Sequence, residues 1–135
     1  MKLLVYSRKS DGAIDRLQGQ IEACMQGNMT ETFNSVKIFS QRLSRLNITR
    51  EEMIAVLFAE NMKELLDLIS IRDLLDDIGI ILILPDDKKE TISAGHRLWP
   101  RYISYTDSNF KDVAAVLNKM DGLFRKNKNN QNWRV

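Results

Sequence analysis

The chain has 135 residues, enough for one domain with a sizeable core, and its 44% hydrophobic and 28% charged residues exclude a disordered or fibrous protein. The longest apolar runs, Met53–Ala59 and Ile80–Pro85, are too short to cross a bilayer, and the N-terminus lacks a basic segment followed by an apolar signal core, so a cytoplasmic protein without a membrane partner is expected. The net charge is +2, but Arg125, Lys126, Lys128 and Arg134 lie in an acid-free C-terminal stretch and the remainder is near −2, which argues against a nucleic-acid face because phosphate neutralisation needs clustered Lys and Arg.

In chain order, Lys2–Tyr6 is a short apolar run and predicts the first strand. Ser10-Asp11-Gly12 supplies turn and capping chemistry before Ile14, Leu17, Ile21 and Cys24, which recur at helical spacing; Gly27-Asn28 closes that helix. Val36 and Ile38, with Lys37 and Phe39, give a half-apolar second strand, and Ser40 to Asn47 holds about two turns of a second helix. Thr49-Arg50-Glu51-Glu52 matches a capping box, which would open one helix running from Met53 to Leu75. Against that reading, Met53–Ala59 is apolar at every position and has no helical face, and Asn61 with Glu64 offers a second helix start. A buried third strand is therefore expected, then a third helix from Met62 to about Asp77, closed by Gly79.

Ile80–Leu84 is the fourth strand, broken by Pro85-Asp86-Asp87; Asp87 with Glu90 starts a short helix that stops at Ala94-Gly95. Tyr102–Tyr105 is the fifth strand. Asp107-Ser108 caps a last helix with Phe110, Val113, Leu117, Met120 and Phe124 on one face. The predicted organisation is one domain over residues 1–125 and a polar, basic tail over 126–135 without assigned structure.

Strands alternating with helices imply parallel pairing through right-handed crossovers, and parallel strands covered on both faces are continuously apolar. Strands one, three and four meet that description; two and five are mixed, which suits sheet edges. The fold class is thus α/β, three-layered and doubly wound, with a five-stranded parallel sheet in the flavodoxin-like order 2-1-3-4-5.

Five such units, and above all I-I-L-I-L-P, then S-A-G, then R-Y-I-S-Y, then F-K-D-V-A-A-V-L-N-K-M between Ile80 and Met120, resemble a response-regulator receiver domain in pattern and spacing. The resemblance implies acidic residues after strand one for magnesium, an acceptor Asp ending strand three, Ser or Thr ending strand four and Lys after strand five. The chain has Tyr6-Ser7, Leu57-Phe58-Ala59, Leu84-Pro85 and Tyr105-Thr106 there, and Glu60, the carboxylate nearest the acceptor position, is not the usual acceptor. Magnesium needs oxygen ligands and an acyl-phosphate needs a carboxylate with a neighbouring cation, so a pseudo-receiver without phosphorylation chemistry is expected.

Ligands of open parallel sheets bind at the carboxyl ends of strands, and Ser7, Asp11, Glu60, Asp86, Asp87 and Asp107 follow strand ends, forming a candidate acidic mouth for a divalent metal or polar ligand; helix capping is the competing account of Asp11, Asp87 and Asp107. His96 has no nucleophile and orienting acid recognisable beside it, the lone Cys24 falls on an apolar stripe, and no glycine-rich phosphate loop follows strand one. No enzymatic activity, cofactor or metal is assigned. Trp99, Tyr102 and Tyr105 around strand five form a candidate interface, and the expected function is signalling through contacts with a sensor or output protein or with a second copy. The alternative is a flavodoxin-like domain binding a small ligand or divalent metal at the acidic strand ends.

Overall fold

A computed structural model describes residues 2–8, 12–24, 29–45 and 53–132. Five parallel strands, β1 (Lys2–Ser7), β2 (Met29–Phe33), β3 (Met53–Phe58), β4 (Gly79–Leu84) and β5 (Tyr102–Tyr105), pair in the order β2-β1-β3-β4-β5. The helices are α1 (Gly12–Cys24), α2 (Val36–Ser44), α3 (Met62–Ser70), α4 (Lys89–His96) and α5 (Lys111–Asn132), with a short 3-10 helix over Arg72–Leu75. This is the flavodoxin-like α/β arrangement expected from strand polarity.

Alternation along the strands builds two cores. Leu4, Tyr6, Ala55, Leu57, Leu82 and Leu84 face α2, α3 and α4 through Phe39, Leu43, Leu65, Leu68 and Ile92. Leu3, Val5, Ile54, Val56, Ile81 and Ile83 face α1 and α5 through Ile14, Leu17, Val113 and Leu117. Every residue of β3 and β4 is buried, which is why those strands read as unbroken apolar runs. No helix among the described residues is long and apolar enough to cross a membrane.

The second strand and second helix depart from expectation. Val36, Lys37, Ile38 and Phe39 open α2, and the strand is the earlier Met29-Thr30-Glu31-Thr32-Phe33. Val36, Phe39 and Leu43 share one helix face, with Phe39 and Leu43 fully buried and Ile38 exposed. As an edge strand, β2 tolerates polar residues: Thr30 and Thr32 are exposed, and Glu31 accepts from Arg42 Nε at 3.2 Å and pairs with Lys2 Nζ at 2.9 Å. Those cations, Lys2 first, hold the Glu31 carboxyl below its usual range.

Helix ends also differ. The third helix stops at Ser70, the 3-10 helix follows, and the turn into β4 is made by Asp77 at φ 66°, with Gly79 inside the strand. Gly95 does not stop α4; it lies within the helix, where a Cβ would sit 3.0 Å from Leu82 Cδ2. The backbone of α5 continues through Arg125 to Asn132, across the stretch expected to lack structure. The candidate capping box at Thr49 and the closing Gly27-Asn28 lie outside the described residues, as does the Phe124 side chain.

Candidate functional site at the carboxyl ends of the strands

Between β1 and β3 the chain crosses from one half of the sheet to the other, the place where open α/β sheets bind ligands. Tyr6 ends the buried part of β1 there. Its ring stacks on Phe39 at 5.8 Å, and burial, then the nearby Glu64 carboxylate, push its phenol up to about 12. At the end of β3, Leu57, Phe58 and Ala59 are buried, and Phe58 meets Phe110 edge to face with centroids 6.3 Å apart. Phe110, from the loop before α5, is fully buried despite a left-handed backbone (φ 63°) and lies beneath the Arg16 guanidinium, 5.7 Å from its ring centroid. Arg16 also donates to Thr106 O at 3.2 Å.

Backbone bonds fasten the same end. Ala59 N–H donates to Ile83 O at 2.9 Å and Thr106 N–H to Leu84 O at 3.1 Å, while the Thr106 hydroxyl donates to Pro85 O at 3.4 Å. The residues aligned with a receiver's acceptor, hydroxyl and lysine by the resemblance are Phe58, packed on Phe110, Leu84-Pro85, and Thr106, whose hydroxyl is turned back onto the chain.

The described candidate mouth residues lie at or after the ends of the strands. Ser7 and Glu60 are half-buried, and Asp87 and Asp107 are exposed. Asp86 Oδ1 accepts from Lys88 N–H at 3.0 Å, and the Thr91 hydroxyl, ahead of that amide, holds its carboxyl below the usual range. Asp11 lies outside the described residues. Among the described residues, no three His, Cys, Asp or Glu side chains come together as metal ligands would.

Of the two expected caps, that of Asp87 is replaced and that of Asp107-Ser108 falls to Ser108. Lys88, not Asp87, is the N-cap of α4 and makes no side-chain cap bond. Before α5, Ser108 Oγ accepts from Phe110 N–H and Asn109 Oδ1 from Lys111 N–H, both at 3.0 Å, in place of Asp107.

Two carboxylates not singled out from the sequence as site residues are the best-organised polar groups. Glu64 is 2% exposed. Its Oε2 accepts from Glu60 N–H at 2.9 Å while its own N–H donates to Asn61 Oδ1 at 2.9 Å, a reciprocal cap of α3. Its Oε1 is buried without a hydrogen-bond partner among the described residues, with Arg8 Nε at 4.0 Å. The Asn61-to-Glu64 spacing did signal the cap, but not the burial.

Asp112, in the first turn of α5, accepts from the Tyr102 and Ser104 hydroxyls at 2.8 Å and from Ser108 Oγ at 3.0 Å. Burial raises its carboxyl, but bonds from Ser104, Tyr102 and Ser108 together outweigh it and hold the group below its usual range. The Ser108-to-Asp112 spacing of four was the available signal; the two partners on β5 depend on the fold.

The candidate interface residues separate. Tyr102 packs toward α1 and α5, Tyr105 toward the opposite core, and both are half-buried. Trp99, at the amino end of β5, is exposed. His96 ends α4 exposed, and Cys24, ending α1 half-buried, donates to Ile21 O at 3.6 Å, its thiol raised by burial. One cavity of about 290 Å³ opens beside the mouth between β1, β2 and α1, lined by Ser7, Arg8, Asp15, Gln18, Thr32 and Asn34 over Val5 and Phe33.

No family model and no curated protein matches the chain. Among solved structures, a provisionally assigned pilus assembly-related protein of Burkholderia pseudomallei K96243 superposes with a TM-score of 0.66 at 14% identity, covering 89% of this chain and 88% of that one. A provisionally assigned pilus assembly protein, CpaE, of Burkholderia thailandensis E264 gives 0.64 at 15% identity, covering 90% and 98%. At such identities the likeness is one of fold: a five-stranded, flavodoxin-like α/β domain consistent with the receiver resemblance.

Proposed function

We propose that the chain is a cytoplasmic, receiver-like signalling module that is not phosphorylated and acts through protein contacts. The observation that carries this reading is the Phe58–Phe110 pair packed where a receiver keeps its acceptor carboxylate. An acyl-phosphate site must admit magnesium and a phosphoryl donor, and two buried rings with Thr106 bonded to Pro85 supply neither ligands nor space. The fold is retained without the chemistry, which leaves recognition as its use. Both solved neighbours are named for pilus assembly, so a pilus-assembly apparatus is the first setting in which to look for a partner. Titration with magnesium and beryllofluoride, and mass spectrometry after acetyl phosphate treatment, test the proposal: neither binding nor a phosphoryl adduct is expected, and either would overturn it.

The cavity beside β1 favours a second reading, a small polar ligand held between Arg8 and Asn34. A ligand-induced rise in melting temperature that Arg8→Ala abolishes would select it.

A further inference from the structure

The amino end of the sheet, remote from the mouth, carries an indole held out into solvent. Trp99 is 88% exposed and its backbone is left-handed, φ 52°. Such a conformation is strained for a bulky residue, and a ring this exposed makes little contact within the chain to offset it. The flanking backbone is fixed: Trp99 N–H donates to His96 O at 3.0 Å, Arg101 N–H to Ile80 O at 2.8 Å, and Leu98 is buried. The ring therefore stands on a rigid support.

Beside it lies a groove of about 390 Å³ with an apolar floor that includes Leu75 and Ile78. Its exposed rim carries Arg72, Arg97 and Arg101 together with Asp73, Asp76 and Asp77. Asp77 is itself left-handed, so two of the three non-glycine residues of positive φ among those described border this groove. Strain gathered around an exposed aromatic and a charged-rimmed groove with an apolar floor marks a recognition surface.

The charges indicate the occupant. A strongly cationic or anionic partner would be repelled by half of a rim that holds both signs equally. A second copy brings the same three arginines and three aspartates, so a rim balanced in sign is self-complementary in composition. We infer that this face pairs two copies of the chain, each Trp99 seated against the other's groove. This rests on the protein-contact reading and gives it a partner. Two indoles contribute roughly 300–500 Å², well under the roughly 1,200–2,000 Å² of a standard interface, so the rims must add contact and the dimer is weak and concentration-dependent.

Sedimentation equilibrium of the full chain over a concentration series tests this, with Trp emission followed in a Trp133→Phe background. Reversible dimers are expected, with Trp99 emission shifting to the blue as they form, and Trp99→Ala should weaken them about 30-fold, the scale of a hot-spot truncation. Trp99→Gly, which suits a left-handed backbone, should do the same with an unchanged circular dichroism spectrum, separating lost contact from lost fold. A wild-type chain monomeric throughout, or dimers indifferent to both substitutions, would overturn the inference. Dimers broken by Tyr105→Lys but not by Trp99→Ala would also overturn it, placing the contact on the α4 and β5 face and leaving the protein-contact reading intact. Beryllofluoride binding would sink that reading alone.

Discussion

Phe58, at the end of β3, and Phe110, just before α5, meet edge to face, their rings inclined at 62° with centroids 6.3 Å apart. Phe110 reaches that position with a left-handed backbone and without exposed surface, so the contact is made at the cost of local strain of about 1–3 kcal/mol. Restoring the acceptor residue alone should therefore not restore the chemistry. Phe58→Asp buries a carboxylate against Phe110, where no cluster of metal ligands stands among the described residues, and it is expected to lower stability by about 3–5 kcal/mol, as for loss of a buried aromatic, without a phosphoryl adduct by mass spectrometry. An adduct on residue 58 would show that the crevice still admits a phosphoryl donor.

Tyr6 sets an alkaline limit. Its phenol is at about 12 in the fold against 10 when unperturbed. A group raised in the folded state contributes stability that is complete below its unfolded value and is lost as pH rises toward the folded one. Melting temperature should therefore fall between pH 10 and 12, and Tyr6→Phe, which keeps the ring on Phe39, should flatten that limb. An equal decline in both proteins would remove Tyr6 as the cause.

Asp112 acts in the opposite direction. Its carboxyl is lowered in the fold, so its contribution is complete above the unfolded value near ~3.9 and is lost as pH falls through the lower folded value. Asp112→Asn turns charge-assisted acceptance from Tyr102, Ser104 and Ser108 into neutral bonds and reverses one donor, at an expected cost of about 1.5–3 kcal/mol at neutral pH. Urea titrations should show the two proteins converging at acid pH. A gap that persists there would mean that shape, not charge, ties α5 to β5.

The parts of the fold legible in the chain were those whose signal is a local period. Met53–Phe58 and Gly79–Leu84 declare two-sided burial by composition alone, and Val113, Leu117 and Met120 declare a helix face. The second unit misled because Val36-Lys37-Ile38-Phe39 is β-prone in isolation, while its helical face is completed only by Leu43. Met29–Phe33 shows its purpose only beside β1, where Glu31 finds Lys2. At the site, the contact of Phe58 with Phe110 joins residues far apart in the chain, and Glu64 looked like an ordinary cap until the fold buried it.

Gly95 offers a test in which two known effects oppose each other. Within α4, glycine is about 1 kcal/mol worse than alanine, so Gly95→Ala would stabilise an exposed helix. Gly95 is buried, and an added Cβ would lie 3.0 Å from Leu82 Cδ2 and 3.3 Å from Leu84 Cδ2. Both leucines belong to β4 and are themselves fully buried in the core beneath α4, so they have little room to withdraw, and overpacking of this kind costs about 1–3 kcal/mol. The clash therefore outweighs the gain in helix propensity. Gly95→Ala should lower stability by about 1 kcal/mol in urea, and Gly95→Ala with Leu82→Val, which thins the clashing side chain, should recover part of the loss. A stabilised single variant would mean that α4 lifts from the sheet without penalty, and that the closeness of helix and strand is not set by this glycine.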